Sequence, residues 1–152
     1  MSIAFVTGAS RGLGREVARG LVAAGHEVIG IGKDPHRAQE TSAELGIKFE
    51  IADLQSISEA RDLASWLLSK YGVPEIVVLA HGVMSEKMAK TLRTNDDEWS
   101  RVMNINLNSV FTLVNALGAP MAEARNGRII IFSACLGRMS GPGNAGGLAP
   151  YR

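Results

Sequence analysis

Cysteine is almost missing from this chain. Cys135 stands alone among 152 residues, so no intrachain disulfide can form, and a disulfide scaffold or a Cys-rich metal knot is excluded. In its "SAC" setting it reads as a small core residue rather than a nucleophile. An excess of one charge is missing too. Sixteen Lys and Arg stand against fifteen Asp and Glu, scattered without blocks, which leaves no polybasic footprint for nucleic acid and no acidic tail. No apolar run approaches the length of a membrane span, and the opening "MSIAFVTGAS" lacks the basic start of a secretory signal. The three histidines, His26, His36 and His81, are far apart and have no Cys or His neighbours at ligand spacing, so no metal site is expected. These absences point to a cytoplasmic protein whose partners are small molecules or other subunits, with no nucleic acid and no membrane among them.

What is present is apolar residues, at 46% of the chain, enough for a single domain over 1–152 with its own core. Short β-branched runs, "IAFVT", "HEVIGIG", "IKFEIAD", "EIVVLA" and "RIIIFS", alternate with segments of helical periodicity. That is a βαβ series, hence an α/β fold with a doubly wound parallel sheet of about five strands, covered on both faces. Between the third and fourth runs, Ile57, Ala60, Ala64, Leu67, Leu68 and Tyr71 recur at helical spacing and mark a buried stripe. Thr94, three residues before Asp97, is the expected start of the next helical stretch. That stretch is expected to break or kink around Asn104, Asn106 and Asn108. The Gly/Pro-rich "SGPGNAGGLAP" reads as a loop.

The first strand runs into "VTGASRGLGREVARGL", with Gly8, Gly12 and Gly14 spaced as TGxxxGxG at the opening of a helix. Glycines there let the backbone turn tightly and approach a pyrophosphate, and the helix N-terminus offers N–H groups to the anion. The second strand ends in "GIGKDPHR". Where a carboxylate would bind the ribose 2′-hydroxyl of NAD, this chain has Gly32 and then Lys33. A small residue followed by a cation leaves room for a 2′-phosphate and pairs with it, and Arg11 supplies a second cation, so the cofactor is expected to be NADP. Arg37 is a third, weaker candidate. Asp53, after the third strand, lies either near an adenine edge or at the N-cap of the next helix.

With "TGASRGLG", "IADL", "DEWSRVMNINLNSVF", "GRIIIFS" and "APYR" in this order, the sequence resembles the short-chain dehydrogenase/reductase family over its whole length. The resemblance implies a Rossmann-type sheet, an NAD(P) cofactor, and hydride transfer between nicotinamide and a small-molecule carbonyl or alcohol. It assigns Tyr151 as proton donor, Asn106 as the asparagine that kinks its helix and holds a water in a proton relay, and Ser133 as the nominal serine that orients the carbonyl. The cofactor-contacting set it implies is Gly8, Ser10, Arg11, Gly12, Leu13, Gly14, Lys33, Asp53, Leu54 and Gly82.

The chain departs from the family pattern in three places. Ala134 follows Ser133 where a second serine is common, and the stretch from there to Tyr151 is a few residues longer than the usual family spacing, which makes Ser140 a conceivable substitute from the loop. "LAHG" replaces Asn-Asn-Ala-Gly after the fourth strand, removing asparagines that would brace the sheet. His81 there is either an acid or base near the nicotinamide or a hydrogen-bonded structural group. The family lysine four residues after Tyr151 falls beyond Arg152, so the expectation is the N-terminal part of a longer NADP-dependent reductase, with the C-terminal part of the fold missing, an open sheet edge and little activity of its own. A noncatalytic NADP-binding redox sensor or scaffold is the alternative. A homo-oligomer is implied by the resemblance alone.

Overall fold

The computed structural model describes residues 2–85 and 93–133. The elements run β1 (Ile3–Thr7), α1 (Gly12–Ala23), β2 (Glu27–Gly32), α2 (Pro35–Leu45), β3 (Lys48–Ile51), α3 (Ile57–Tyr71) and β4 (Ile76–Leu79). They continue with α4 (Asp96–Met103), a π-helical turn over 104–108, α5 (Ser109–Glu123) and β5 (Arg128–Ile131). Each strand falls inside one of the β-branched runs. The strands form one parallel sheet in the order β3-β2-β1-β4-β5. The chain therefore starts in the middle of the sheet, builds outward through β2 and β3, and crosses back to build through β4 and β5. The order reverses between β1 and β4, and the carboxyl ends of strands at such a reversal open a crevice where ligands bind.

Successive residues of a strand face opposite sides of the sheet. In β1, Phe5 joins Ile29, Ile31, Leu67, Val77, Leu79, Leu113 and Leu117 in the core under α3 and α5, whereas Ala4 and Val6 join Ala18, Val28, Ile47 and Val78 on the α1 side. β1, β2 and β4 are covered on both faces and so are apolar at nearly every position, which is why they read as unbroken runs, whereas the outer strands β3, with Lys48 and Glu50, and β5 are largely exposed. β5 is an edge strand among the described residues, and Ile131 and Phe132 are exposed there.

The helices begin where short polar side chains satisfy free N–H groups. Asp34 accepts from the amides of His36 and Arg37, with Pro35 as the first helical residue of α2, and Gly46 ends that helix in the left-handed conformation. Ser56 caps α3, so Asp53 is not its N-cap; Asp53 Oδ1 instead accepts from Gln55 N–H within the preceding turn. Asn95, not Thr94, caps α4, its Oδ1 accepting from Glu98 N–H at 2.8 Å, because the helix opens one residue later than the capping pattern suggests. Within α3, Ala60, Leu63, Ala64 and Leu67 are buried, and Leu68 and Tyr71 pack at the margin of the core. Ile57, expected in this stripe, is exposed because it opens the helix, a turn before Ala60, the first residue to reach the core.

The break expected at the asparagines is the π-turn, which joins α4 to α5 without interrupting the helical path. Asn104 and Asn108 are half-buried and bond to each other, Asn108 Nδ2 donating to Asn104 Oδ1 at 2.8 Å, at the positions where α4 ends and α5 begins. Among the described residues, no helix is long and apolar enough to cross a membrane.

Candidate functional site

The carboxyl ends of β1, β2 and β4 enclose a cleft of about 360 Å³. Its floor and one wall are the turn from β1 into α1. Gly8 has φ +69°, and a Cβ there would lie 2.8 Å from the carbonyl oxygen of Ala80 and 3.0 Å from His81 Cα. Only glycine permits both that conformation and that approach to β4. Gly12 has φ +55° with open space around it, so it is required for its backbone angle alone. Gly14 is buried against the Gly8 peptide and closes the helix onto the strand.

Helix α1 starts differently from α2, α3 and α4. Its N-cap, Arg11, makes no side-chain capping bond, and no acidic residue occupies its first turn. The helix therefore presents uncapped N–H groups and the positive end of its dipole to the cleft, with no carboxylate in its first turn to compete with an incoming anion. Ser10, Arg11, Gly12, Leu13 and Gly14 line this part of the cleft. The open space beside Gly12 and the uncapped helix N-terminus suit an anion such as a pyrophosphate, while Gly8 and Gly14 let the turn close onto β4 and β1 around it.

At the end of β2, Gly32 and Lys33 line the cleft beside Asp53 and Leu54 from the loop after β3. A Cβ on Gly32 would meet Ser10 Oγ at 3.3 Å and the Phe49 ring at 3.4 Å, so the strand end has little room for a larger side chain. The Lys33 side chain is 63% exposed, with Nζ 4.0 Å from Asp53 Oδ2. At that distance and exposure the pair is weak, and the ammonium is available to an anion. Arg11 is exposed as well. Arg37 points elsewhere: it pairs with Asp34 along α2 and does not line the cleft. Leu54 borders the cleft with a side chain that belongs to the core.

The segment after β4 forms the opposite wall through Ala80, His81, Gly82 and Val83. Asn106, in the π-turn, holds it: Val83 N–H donates to Asn106 Oδ1 at 2.8 Å and Asn106 Nδ2 donates to Val83 O at 2.9 Å. His81 holds it from the other side, with Nδ1 2.6 Å from Thr7 Oγ1 and Nε2 2.8 Å from Ser109 Oγ. Thr7 Oγ1 also accepts from Ala80 N–H at 3.2 Å. The asparagines absent from "LAHG" are thus replaced by a histidine that ties β1 to α5. Burial pushes the His81 imidazole down to about 4, only partly offset by a bond to the Ile105 carbonyl. It is neutral at physiological pH, and both its nitrogens are committed to hydroxyls, which favours the structural role over the acid-base one.

An acid dependence of stability follows. The folded protein binds the His81 proton less readily than the unfolded chain, so the contribution is complete above about pH 6.5 and lost as pH falls toward 4. The gap corresponds to about 3 kcal/mol. Urea unfolding of the parent and of His81→Gln between pH 7 and 4 should show a steeper loss in the parent; parallel slopes would contradict the assignment.

Ser133 follows β5 at the same end of the sheet and is exposed. Tyr151, Ala134, Cys135 and Ser140 lie outside the described residues. The sequence reading passed over Thr7, Ser109 and Val83. A signal existed for Ser109, a fully buried serine within the apolar run of α5, three residues after Asn106.

Comparison with known proteins agrees with this geometry. A family model described as short chain dehydrogenase matches residues 2–146. The 3-oxoacyl-[acyl-carrier-protein] reductase FabG of Salmonella typhimurium is 35% identical over 148 residues, which cover 94% of this chain and 59% of that protein. The chain thus spans somewhat over half the length of the curated relatives it matches. A solved Brucella melitensis 16M chain described as ribose-5-phosphate isomerase superposes with TM-score 0.88 at 32% identity, covering 98% of this chain and 58% of that one. A short-chain dehydrogenase of Shigella flexneri 2a str. 301 complexed with NADP superposes with TM-score 0.83 at 26% identity, covering 99% of this chain and 66% of that one. The isomerase description names a different reaction, but the family model, the FabG sequence and the glycine-turn geometry agree with one another: this chain is a member of the short-chain dehydrogenase/reductase family.

Proposed function

We propose that this chain belongs to an NADP(H)-dependent oxidoreductase that interconverts a small-molecule carbonyl compound and its alcohol in the cytoplasm. The observation that carries this reading is the cleft itself: an uncapped helix N-terminus over a glycine cradle, with Lys33 and Arg11 at the side where a 2′-phosphate would lie. The reductase name of the FabG relatives and the NADP in the Shigella neighbour support the reaction class and the cofactor.

NADPH, when bound, supplies a hydride to the carbonyl carbon. In this reading Ser10, Arg11, Gly12, Leu13 and Gly14 hold the pyrophosphate, Lys33 and Arg11 the 2′-phosphate, Asp53 and Leu54 the adenine end, and Gly82 the backbone approach to the ring. Tyr151 donates the proton to the carbonyl oxygen; a phenol has a pKa of about 10 and is protonated at neutral pH, as an acid must be. Ser133 orients the carbonyl. Asn106 acts on the site by fixing the Val83 backbone.

The test is NADPH oxidation by the full-length gene product with a panel of ketones, aldehydes and 3-oxoacyl thioesters. Substrate-dependent consumption is expected, reduced roughly 100-fold or more in Tyr151→Phe. NADPH binding with no turnover of any carbonyl would overturn the enzymatic reading in favour of the noncatalytic sensor.

A further inference from the structure

We propose that His81 is a positioning residue for the nucleotide cleft: its imidazole sets the spacing between the end of β1 and the start of α5, and thereby the place of the Gly82–Val83 backbone. The inference rests on the nucleotide reading of the cleft. His81 stands directly before Gly82 in the cleft wall, and its two nitrogens reach two different elements, Thr7 on β1 and Ser109 on α5.

The hydrogens of this bridge can be placed by elimination. Ser109 Oγ lies 2.7 Å from the carbonyl oxygen of Ile105, which can only accept, so the single serine hydrogen points there. The serine oxygen must then accept from Nε2–H. In the neutral ring Nδ1 is left as acceptor and takes the Thr7 hydroxyl hydrogen, while Thr7 Oγ1 accepts from Ala80 N–H. The result is one directed chain from the Ala80 amide through Thr7, His81 and Ser109 to the Ile105 carbonyl; the 3.4 Å contact of Thr7 Oγ1 with the Val78 carbonyl and the imidazole's own contact with the Ile105 carbonyl lie beside it.

Little slack remains around this chain. The Gly8 peptide approaches Ala80 and His81 so closely that a Cβ would collide, so displacement of residues 80 and 81 is transmitted to the phosphate cradle. Asn106 pins Val83 at the other end. Losing the imidazole leaves two buried hydroxyls without their shared partner and removes the strut between the cradle and the opposite wall. A side-chain amide can restore part of it, because glutamine carries an N–H about as far from the backbone as Nε2.

The test is NADPH affinity of the full-length gene product, by nicotinamide fluorescence, for the parent, His81→Ala, His81→Gln, Ser109→Ala and the double variant His81→Gln/Ser109→Ala, with thermal unfolding of each. About a tenfold weakening is expected in His81→Ala, the size of a lost buried hydrogen bond. His81→Gln should recover most of that loss, and the recovery should vanish when Ser109→Ala is added. If His81→Ala fails to fold, Ser109→Ala alone should still weaken NADPH while keeping a cooperative unfolding transition. A parent that binds NADPH, with His81 and Ser109 variants binding within twofold of it, would overturn the inference and leave the nucleotide reading intact. A parent that binds no NADPH would overturn both.

Discussion

Gly14→Ala is expected to abolish detectable nucleotide binding and to cost about 3 kcal/mol of stability, the upper end of what overpacking a tight contact costs. The added Cβ would lie 2.8 Å from the Gly8 carbonyl carbon, closer still to its oxygen, and 3.3 Å from Ala9 N. All three are backbone atoms, so no rotamer change relieves the clash. Relief requires α1 to lift off β1, which opens the Gly8 turn and moves the helix N-terminus away from the cleft. Gly20, in the same helix, supplies the control: nothing lies within 4 Å of a Cβ there. Gly20→Ala should leave binding unchanged and raise stability by roughly 0.5–1 kcal/mol through helix propensity. Urea denaturation and NADPH titration of the two variants side by side check both expectations, and similar behaviour of the two would refute the packing argument.

Lys33→Asp is expected to lower NADPH affinity roughly tenfold to a hundredfold, the worth of a charge-assisted bond, while leaving NADH affinity unchanged or improved. The substitution does more than delete a cation. It places a carboxylate where a 2′-phosphate would come, next to Asp53, so two like charges face the phosphate instead of an ammonium. Because the Lys33 side chain is largely exposed, the parent's preference for NADPH should shrink as salt is raised, and the variant's should not. Paired titrations at low and high ionic strength check this. A variant that keeps the parent's NADPH-to-NADH ratio would move the 2′-phosphate contact to Arg11 or elsewhere.

The strands and the glycine turn were legible because their signals are local. A fully buried parallel strand must be apolar throughout, and the turn into α1 needs glycine where φ is positive or where backbones touch, as at Gly8 and Gly12. The irregularity at the asparagines, a π-turn, was legible for a related reason, since polar side chains inside an apolar helix must find partners nearby. Helix starts were less so. Thr94 and Asn95 are both good caps, and only the backbone angles choose Asn95. Asp53 could be read as a cap or a cleft residue; it lines the cleft, while Ser56 caps the helix. The His81 bridge was beyond the sequence, because it joins residues 74 and 28 positions away through a topology that no local pattern records. "LAHG" showed that asparagine bracing was absent, but not that an imidazole from the same segment takes its place.

The most direct test of the central claim, that the cleft at the ends of β1, β2 and β4 is an NADP(H) site, is a parallel equilibrium titration of the full-length gene product with NADPH and NADH at low ionic strength. The expected result is saturable binding of both, with NADPH tighter by about tenfold or more from its ion pairs with Lys33 and Arg11. Equal affinity, a preference for NADH, or no binding of either would contradict it.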